Sequence, residues 1–434
     1  MTPPITPARR VLRASAIFLA LPLVAAFGLA PVAAQNPAGA AKAAAANPPK
    51  HATTGKTQKP AAAEAKSNEP PPRIPYTAAE SLVATVPGMP DARFWADSES
   101  DFKAALPQRN GPWLVLSSGG GDGAFGAGLL NGLSAAGKRP DYAVVTGVST
   151  GALMAPFIFA GKPYDDALRK AYTEVSAADI FEAGSSTGES FVNSWPLKDL
   201  IAKQITPQLM ADIAAAHRAG RRLFVVTSDI DAERSVVWNM GAIAAHGGAE
   251  ATKLFCNVLL ASAAVPGGFP PVLIDVEANG KRFQEMHVDG GLGGQFFLAP
   301  QSLLQSTSDY RLPATQLYIV INTGMVRDFQ VTDRFIPPIL TQAIGMAVPI
   351  DTSLMIDRAY VAAKKSGTGF GVATIPRSFN VPSKGPFDPT YMKALYQTGF
   401  ELGQSPTPFA GEPPPFPSGP LPQPSHLEKT GANK

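Results

Sequence analysis

Cysteine is almost absent from this sequence: 434 residues contain one, Cys256. A single cysteine cannot form an internal disulfide, so the chain must depend on its packed core for stability even if it is exported. Cys256 lies within an apolar stretch, residues 254–260, where a thiol usually serves as packing material. We therefore predict a structural role for Cys256 rather than a catalytic one.

Charge is also scarce, because Asp, Glu, Lys and Arg together make up 16% of the residues. Residues 1–34 carry three arginines and no acids, and the remainder balances 34 Lys and Arg against 34 Asp and Glu. A chain without net positive charge lacks the electrostatic attraction that a dedicated nucleic-acid binder needs. No nucleic-acid partner is expected.

The two ends of the chain have the composition of segments outside a folded domain. Residues 1–34 combine a basic start, an apolar run and a small-residue finish, which predicts a signal peptide and an exported, periplasmic or secreted protein. The apolar run is nearly long enough to remain as an uncleaved membrane anchor, and that alternative stays open. Residues 35–75 are rich in Ala, Pro and Lys and predict a disordered linker, and residues 405–434 predict a disordered Pro-rich tail. The folded domain is expected over residues 76–404.

Within that domain, short apolar runs alternate with helical patterns. Strands are predicted at 113–116, 143–148, 223–227, 236–238 and 316–321, and helical segments at 125–136, 152–160, 197–219 and 251–264. Continuous apolar strands separated by helices are typical of a largely parallel sheet covered on both faces. The predicted fold class is α/β, with a central, largely parallel sheet and helices on both faces.

The second strand runs into Gly147-Val148-Ser149-Thr150-Gly151, a Gly-x-Ser-x-Gly motif at a strand-to-helix turn. Glycines on both sides leave room for a tight turn that exposes the serine hydroxyl. The turn also aims backbone N–H groups and the positive end of the next helix at whatever the serine attacks. Ser149 is therefore a candidate nucleophile for acyl transfer.

The first strand is followed by a second glycine-rich turn, which contains Gly119, Gly120, Gly121 and Gly123. Its consecutive N–H groups could stabilise a developing oxyanion. Residues 121–126 also match Gly-x-Gly-x-x-Gly, but nucleotide binding needs an acid that closes the second strand, and Asp141 precedes that strand. An oxyanion hole is the preferred interpretation.

A serine nucleophile needs a base, and the five histidines offer little. His51 and His426 fall in the linker and the tail, His217 reads as a solvated surface residue, and His246 lies in a Gly/Ala loop. His287 is the best candidate for a Ser-His-Asp triad, although it lacks the late-loop position of a hydrolase triad. Asp289 ends a strand-like segment before two glycines, a pattern that is typical of a turn and is also compatible with a catalytic carboxylate.

Taken together, these motifs resemble the patatin-like phospholipase family. The glycine-rich turn, the serine motif about thirty residues later and the distant Asp289-Gly290-Gly291 occur in the family's order, and residues 225–229 and 261–272 are also similar. The similarity spans about residues 113–294.

The resemblance implies a patatin-like three-layer α/β/α fold and a hydrolase of lipid carboxylic esters, like a phospholipase A or a lysophospholipase. It implies Ser149 as nucleophile and Asp289 as its partner in a dyad, with Gly119, Gly120, Gly121 and Gly123 as the oxyanion hole. It implies no metal and no cofactor. The expected partner is a lipid or phospholipid substrate, with transient contact to a membrane surface.

One position departs from the family pattern, which has Arg or Lys in the glycine-rich turn where this chain has Asp122. A carboxylate that pointed into the hole would oppose a developing negative charge. We expect Asp122 to point outward and to interact with the N-terminus of the next helix. A triad esterase that uses His287 and a catalytically weak lipid-binding envelope protein remain alternatives.

Overall fold

A computed structural model describes residues 70, 72–107, 109–184, 188–325, 331–334 and 336–415. The predicted signal peptide and nearly all of the predicted linker lie outside these residues, so both remain predictions. Among the described residues, none of the helices combines the length and the apolar character that a membrane span requires.

The described part contains strands and helices in alternation. Its strands are β1 (Arg93–Trp95), β2 (Trp113–Leu116), β3 (Val144–Val148), β4 (Glu182–Ala183), β5 (Val192–Asn193), β6 (Arg222–Asp229), β7 (Arg234–Asn239), β8 (Val272–Ala278), β9 (Lys281–Asp289), β10 (Gln316–Ile321) and β11 (Gly369–Thr374). Its helices are α1 (Ala78–Val83), α2 (Glu99–Ala105), α3 (Gly123–Ala135), α4 (Thr150–Ala160), α5 (Asp165–Thr173), α6 (Ala177–Ile180), α7 (Trp195–Gln204), α8 (Pro207–Arg218), α9 (Met240–His246), α10 (Gly248–Ser262), α11 (Gln301–Leu304), α12 (Ile336–Ser366) and α13 (Pro389–Gln404).

One nine-stranded sheet forms the centre of the molecule. Its main order is β1-β7-β6-β3-β2-β10-β11, and β9, paired with β8, joins it at β6. Five strands of this order, β6, β3, β2, β10 and β11, are parallel to one another, whereas β1, β7, β8 and β9 pair antiparallel with their neighbours. The prediction of a largely parallel sheet is confirmed.

The two faces of the sheet bury different helices, because successive side chains on a strand point in opposite directions. Leu114 and Leu116 of β2 face the larger core, which includes residues of α3, α4, α8, α10 and α13. Trp113 and Val115 face the smaller core, which includes residues of α2, α11 and α12. The predicted three-layer α/β/α arrangement is therefore confirmed.

One edge of β6 is shared by two strands. β3 pairs with β6 as far as Val148↔Val226, and β9 pairs with it from Thr227↔Asp289 onward. β7 occupies the opposite edge of β6 over the same stretch, so β9 must continue along the edge where β3 stops. The residue after Val148 and the last residue of β9 are consequently neighbours.

Helices α3 and α13 approach so closely that glycines are required at their contact. A Cβ atom on Gly132 of α3 would lie 2.2 Å from the carbonyl oxygen of Phe400, and one on Gly399 of α13 would lie 2.2 Å from that of Phe125. Backbone contact of this kind fixes α13 against α3. The start of α13, with Tyr391 in its first turn, is thereby held over the glycine-rich turn.

The packed part of the chain is longer at both ends than the predicted 76–404. Arg73 donates two hydrogen bonds to Asp231, at 2.6 and 2.7 Å. Beyond residue 404, Ala410 exchanges backbone hydrogen bonds with Val372 of β11, and Phe409 packs on Tyr318 with ring centroids 4.7 Å apart. The beginning of the predicted tail is therefore ordered, because the outer edge of β11 offers backbone groups for it to pair with. Residues 416–434 lie outside the described part.

We predict that Gly132→Ala destabilises the protein by about 1–3 kcal/mol, because the added methyl group would overlap a backbone carbonyl that cannot rotate away. The measurement is the free energy of unfolding in urea. Gly345→Ala is the matched control, since a Cβ atom at this exposed glycine of α12 meets nothing within 4 Å. It should be neutral or stabilising by up to about 1 kcal/mol. Equal effects of the two changes would contradict the close approach of α3 and α13.

Candidate active site

Ser149 stands between β3 and α4 in a strained conformation, with φ 54° and ψ −121°. A non-glycine residue held at positive φ costs about 1–3 kcal/mol, which the surroundings must supply. The Ser149 N–H donates to the Ser262 hydroxyl at 3.0 Å, and that hydroxyl donates to the Val226 carbonyl at 2.7 Å. Ser262 thus ties the serine turn to β6. The Ser149 side chain is nearly buried, with 6% of the residue exposed.

Asp289 lies at the end of β9, where the shared edge of β6 brings it beside Ser149. Burial raises the pKa of its carboxyl to about 7, although hydrogen bonds from the Ser149 side chain and the Gly291 N–H act in the opposite direction. The bond from Gly291 measures 2.7 Å. Such a group changes its protonation state near neutral pH, as a general base should.

The glycine-rich turn closes a third side of the same site. Gly119, Gly120 and Gly121 line a cavity together with Ser149 and Asp289. Gly123 was expected to join them, but its N–H donates within the turn to the carbonyls of Gly120 and Gly121.

Gly123 instead begins α3 and packs against α4. A Cβ atom on it would lie 2.1 Å from the Thr150 Oγ1. The placement of Gly123 in an oxyanion hole is therefore wrong, because close helix packing explains this glycine.

Asn322 holds the strand end before the glycine-rich turn, and the sequence analysis missed it. This fully buried residue donates from its side chain to the Ser117 carbonyl at 3.0 Å and accepts from the Gly126 N–H at 3.1 Å. Its own backbone N–H donates to the Ser117 hydroxyl at 2.8 Å. Asn322 directly follows β10, which runs parallel to β2. A polar residue at the carboxyl end of a predicted parallel strand is a sequence feature that could have indicated its place near the site.

Asp122 does not point outward as expected. Its carboxylate lines the cavity, is half-buried and accepts a hydrogen bond from the Tyr391 hydroxyl at 2.8 Å. It makes no side-chain hydrogen bond to the N-terminus of α3. Burial raises its pKa to about 6. The expectation was wrong because α13 covers this side of the turn. Tyr391 of α13 is 269 residues from Asp122 along the chain, so the local sequence gives no sign of this contact.

Two of the described histidines, His246 and His287, are paired with carboxylates. His287 is fully buried, with Nδ1 3.0 Å from the Thr227 hydroxyl and Nε2 3.2 Å from Glu285. His246 is 2.7 Å from Asp91. His217 is half-buried rather than solvated, and burial lowers its pKa to about 4. His51 and His426 lie outside the described residues.

His287 belongs to a buried polar cluster formed by residues of β6 and β9. Ligand atoms of Asp229, Glu285 and His287 lie within 4.8 Å of one another, which is close enough to hold a metal ion. Arg93 forms an ion pair with Glu285, and Thr227 is hydrogen-bonded to His287. Arg93 offsets the charge of Glu285, and Asp229 accepts backbone hydrogen bonds from Asp231 and Ala232, so we interpret the cluster as a structural network.

Two connected spaces meet at Ser149. The wider cavity, of about 450 Å³, contains both Asp122 and Asp289 in its wall. A narrower recess of about 70 Å³ leads from Ser149 between apolar side chains, which include Leu153, Val175, Ile180, Leu200, Ile201 and Phe269.

Helix α4 carries five large apolar residues after Ser149. Of these, Leu153 lines the recess, while the others are buried in the core: Met154, Phe157, Ile158 and Phe159. Most of the recess instead comes from α5–α7 and the segment after α10.

With this geometry established, comparison with known proteins identifies the domain. Residues 114–299 match the family model for patatin-like phospholipases. The match covers a little under half of the chain. The predicted resemblance to the patatin-like phospholipases is confirmed over these residues.

Two solved structures are similar to this patatin-like chain at low identity. VipD from Legionella pneumophila is 10% identical with a TM-score of 0.35, and the alignment covers 69% of this chain and 66% of that chain. The type III effector protein ExoU is 16% identical with a TM-score of 0.21, and the alignment covers 69% of this chain and 53% of that chain. This chain thus spans somewhat under two thirds of the first protein and about half of the second. A search of curated proteins found no significant match.

Proposed function

We propose that this patatin-like domain is a serine acyl hydrolase that cleaves lipid carboxylic esters, in the manner of a phospholipase A or a lysophospholipase. Ser149 is the nucleophile, and Asp289 is its general base. The observation that carries the proposal is the strained, nearly buried Ser149 beside a buried carboxyl whose pKa is raised to about 7. A neighbouring base and a tight strand-to-helix turn are the usual means of activating a serine.

The first half of the reaction forms an acyl-enzyme. Asp289 takes the hydroxyl proton as the Ser149 Oγ attacks the ester carbonyl carbon. The carbonyl oxygen becomes negative, and N–H groups of Gly119, Gly120 and Gly121 stabilise it. The carbon–oxygen bond of the ester then breaks, and the leaving alcohol receives the proton from Asp289.

The second half releases the fatty acid. A water molecule takes the place of the alcohol, and Asp289 accepts its proton as the oxygen attacks the acyl carbon. The bond to Ser149 breaks, and the proton returns to the Ser149 Oγ. The cycle needs one base that gains and loses a proton twice, which a carboxyl with a pKa of about 7 can do near neutral pH.

The apolar recess supports a lipid acyl group as the part of the substrate that is recognised. It opens at Ser149 and is walled by side chains such as Leu153, Val175 and Phe269. An acyl chain that enters it leaves water, which favours binding by about 0.8 kcal/mol for each buried CH₂ group. The ester carbonyl would then lie at the junction of the recess and the wider cavity.

The contacts of His287 argue against the triad alternative. Both of its ring nitrogens already have partners, Thr227 and Glu285. Turning this buried ring toward the serine would leave Glu285 without one partner inside the core, which costs free energy. A dyad needs no such movement.

A fluorophosphonate probe tests the dyad. We expect labelling of the wild-type protein at Ser149, none in Ser149→Ala, and a rate at least about 100-fold lower in Asp289→Asn because the base is lost. The measurement is the labelling rate, with the labelled residue located by mass spectrometry. Asp229→Asn is the matched control, since it removes a buried carboxyl of β6 that does not line the cavity.

Three outcomes would contradict the assignment. Labelling that persists in Ser149→Ala would refute the nucleophile, and an unchanged rate in Asp289→Asn would refute the base. Complete absence of labelling in the wild type would favour a catalytically silent lipid-binding protein. Thermal unfolding of each variant shows that a lost signal is not a lost fold.

The pH dependence of activity follows from the raised pKa of Asp289. The base must be ionised to act, so kcat/KM for an uncharged short-chain ester should rise about tenfold per pH unit below pH 7 and level off above it. Acid release in a pH-stat provides the measurement. Asp122→Asn should keep this inflection, because Asp122 is not the base. A profile that is flat from pH 5 to 8 would contradict the role of Asp289.

We also propose that the domain contacts a lipid bilayer through one face of α12. Four apolar residues spaced seven, four and four positions apart are between 41% and 56% exposed: Ile339, Met346, Ile350 and Leu354. This spacing places them along one side of the helix. Val348, on the opposite side of the same helix, lines the cavity that contains Ser149. A bilayer bound at the exposed face would therefore lie about 10 Å from the cavity, across the width of α12.

Acidic substitutions on α12 test the bilayer contact. In the double variant Ile350→Asp, Leu354→Asp, the ratio of turnover on a long-chain acylglycerol carried in vesicles to turnover on a monomeric short-chain ester should fall about tenfold, because charge replaces the inserted apolar area. The matched control is Leu82→Asp, Val83→Asp, which changes two exposed apolar residues of α1. An equal fall in both variants would mean that net charge, not this face, determines the ratio.

A further inference from the structure

The wall of the wider cavity has an unusual charge distribution for a lipid-hydrolysing site. Two carboxyl groups, Asp122 and Asp289, face it, and none of the described residues that line it is a lysine or an arginine. Lys384 is exposed on the loop between the lining residues Ser383 and Gly385, and its side chain is not part of the wall. The cavity is therefore electrically neutral or negative.

Asp122 is held firmly in this wall. Its carboxylate accepts the hydrogen bond from Tyr391 at 2.8 Å, and Tyr391 lies in the first turn of α13. Helix α13 is in turn fixed against α3 by backbone contacts at Gly399 and Gly132. The carboxylate thus has a defined position and cannot swing into solvent without losing a partner.

A negatively charged phosphate group in this cavity would be repelled by the carboxylate of Asp122, and none of the described lining residues is a lysine or an arginine that could offset this repulsion. Negative charges repel more strongly in a partly desolvated cavity than in water, because the effective dielectric constant is lower. A lysine or arginine at the position of Asp122 would have the opposite effect, since guanidinium and ammonium groups bind phosphate. Uncharged groups such as hydroxyls pay no such penalty.

We propose that Asp122 makes this cavity select uncharged acyl esters over acyl esters that carry a phosphate group. The inference rests on the proposed function, because it concerns the same cavity and the same reaction at Ser149. It narrows the substrate class to neutral lipids and lipid-like esters, such as acylglycerols. Asp122 acts through its charge on the part of the substrate that remains outside the acyl recess.

A pair of substrates that differ by one phosphate tests the proposal. 1-Octanoylglycerol and 1-octanoylglycerol 3-phosphate share the acyl chain and the scissile ester. For the wild-type protein, kcat/KM should be at least about tenfold higher for the uncharged ester. In Asp122→Asn, which retains an oxygen to accept from Tyr391, that ratio should fall toward one. In Asp122→Lys it should fall below one.

Two control variants separate charge from structure. Tyr391→Phe removes the hydrogen bond that positions the carboxylate but not the carboxylate itself, so preference for the uncharged ester should fall less than in Asp122→Asn. Asp212→Asn removes an equal charge from an Asp that also accepts from a tyrosine, Tyr164 at 2.6 Å, but lies on α8 and does not line the cavity. The substrate ratio of Asp212→Asn should equal that of the wild type.

The possible failures are distinguishable. Hydrolysis of neither ester, together with absent fluorophosphonate labelling, would overturn the proposed function. Hydrolysis of both esters with equal kcat/KM, or a ratio that Asp122→Asn leaves unchanged, would overturn the selection by Asp122 while the hydrolase remains. A ratio that changes equally in Asp212→Asn would assign the selectivity to net charge and would also overturn it.

Discussion

The shared edge of β6 is the constraint on which the rest of the site depends. β3 occupies that edge as far as Val226, and β9 occupies it from Thr227 onward. Where one strand gives way to the other, the chain after β3 must turn away sharply, and the end of β9 must meet it. Ser149 and Asp289 are brought together by backbone pairing, so their proximity costs no side-chain flexibility. The strained angle at Ser149 is a consequence of the same junction, and Ser262 compensates for it by joining the turn to β6.

Burial raises the pKa of both carboxyls that line the cavity, Asp289 and Asp122, but by different amounts. Asp289 has two hydrogen-bond donors that favour its ionised form, yet its deeper burial raises its pKa to about 7. Asp122 has one donor, Tyr391, and its pKa rises to about 6. The Ser149 side chain is hydrogen-bonded to Asp289, whereas Asp122 is bonded to Tyr391, so of the two only Asp289 is placed to act as a base. The difference separates a fixed charge from a base within one cavity.

Sequence patterns predicted the elements that carry the site, because those elements are local. Continuous apolar runs located β2 and β10 at their observed bounds, and Ser149 followed from the glycines beside it. Contacts between distant segments were not predictable in this way. The predictions for Gly123 and Asp122 were wrong because α4 and α13 pack on the glycine-rich turn. The local sequence of residues 118–126 contains no pattern that indicates this packing. Ser262 and Asn322 were missed for the same reason, since each acts on a residue more than 100 positions away.

The glycine-rich turn combines two requirements that oppose each other. Its N–H groups at Gly119, Gly120 and Gly121 suit a developing negative charge, whereas the carboxylate of Asp122, one residue later, opposes it. Tyr391 reduces the conflict, because its hydroxyl donates to Asp122 and so draws part of the negative charge toward α13. In the proposed reaction the oxyanion would form next to Ser149, while a substrate head group would extend into the wider cavity that Asp122 lines. A carboxylate in that wall weakens binding of an anionic head group in the ground state as well as in the transition state, so its effect is on which ester binds rather than on how fast a bound ester reacts.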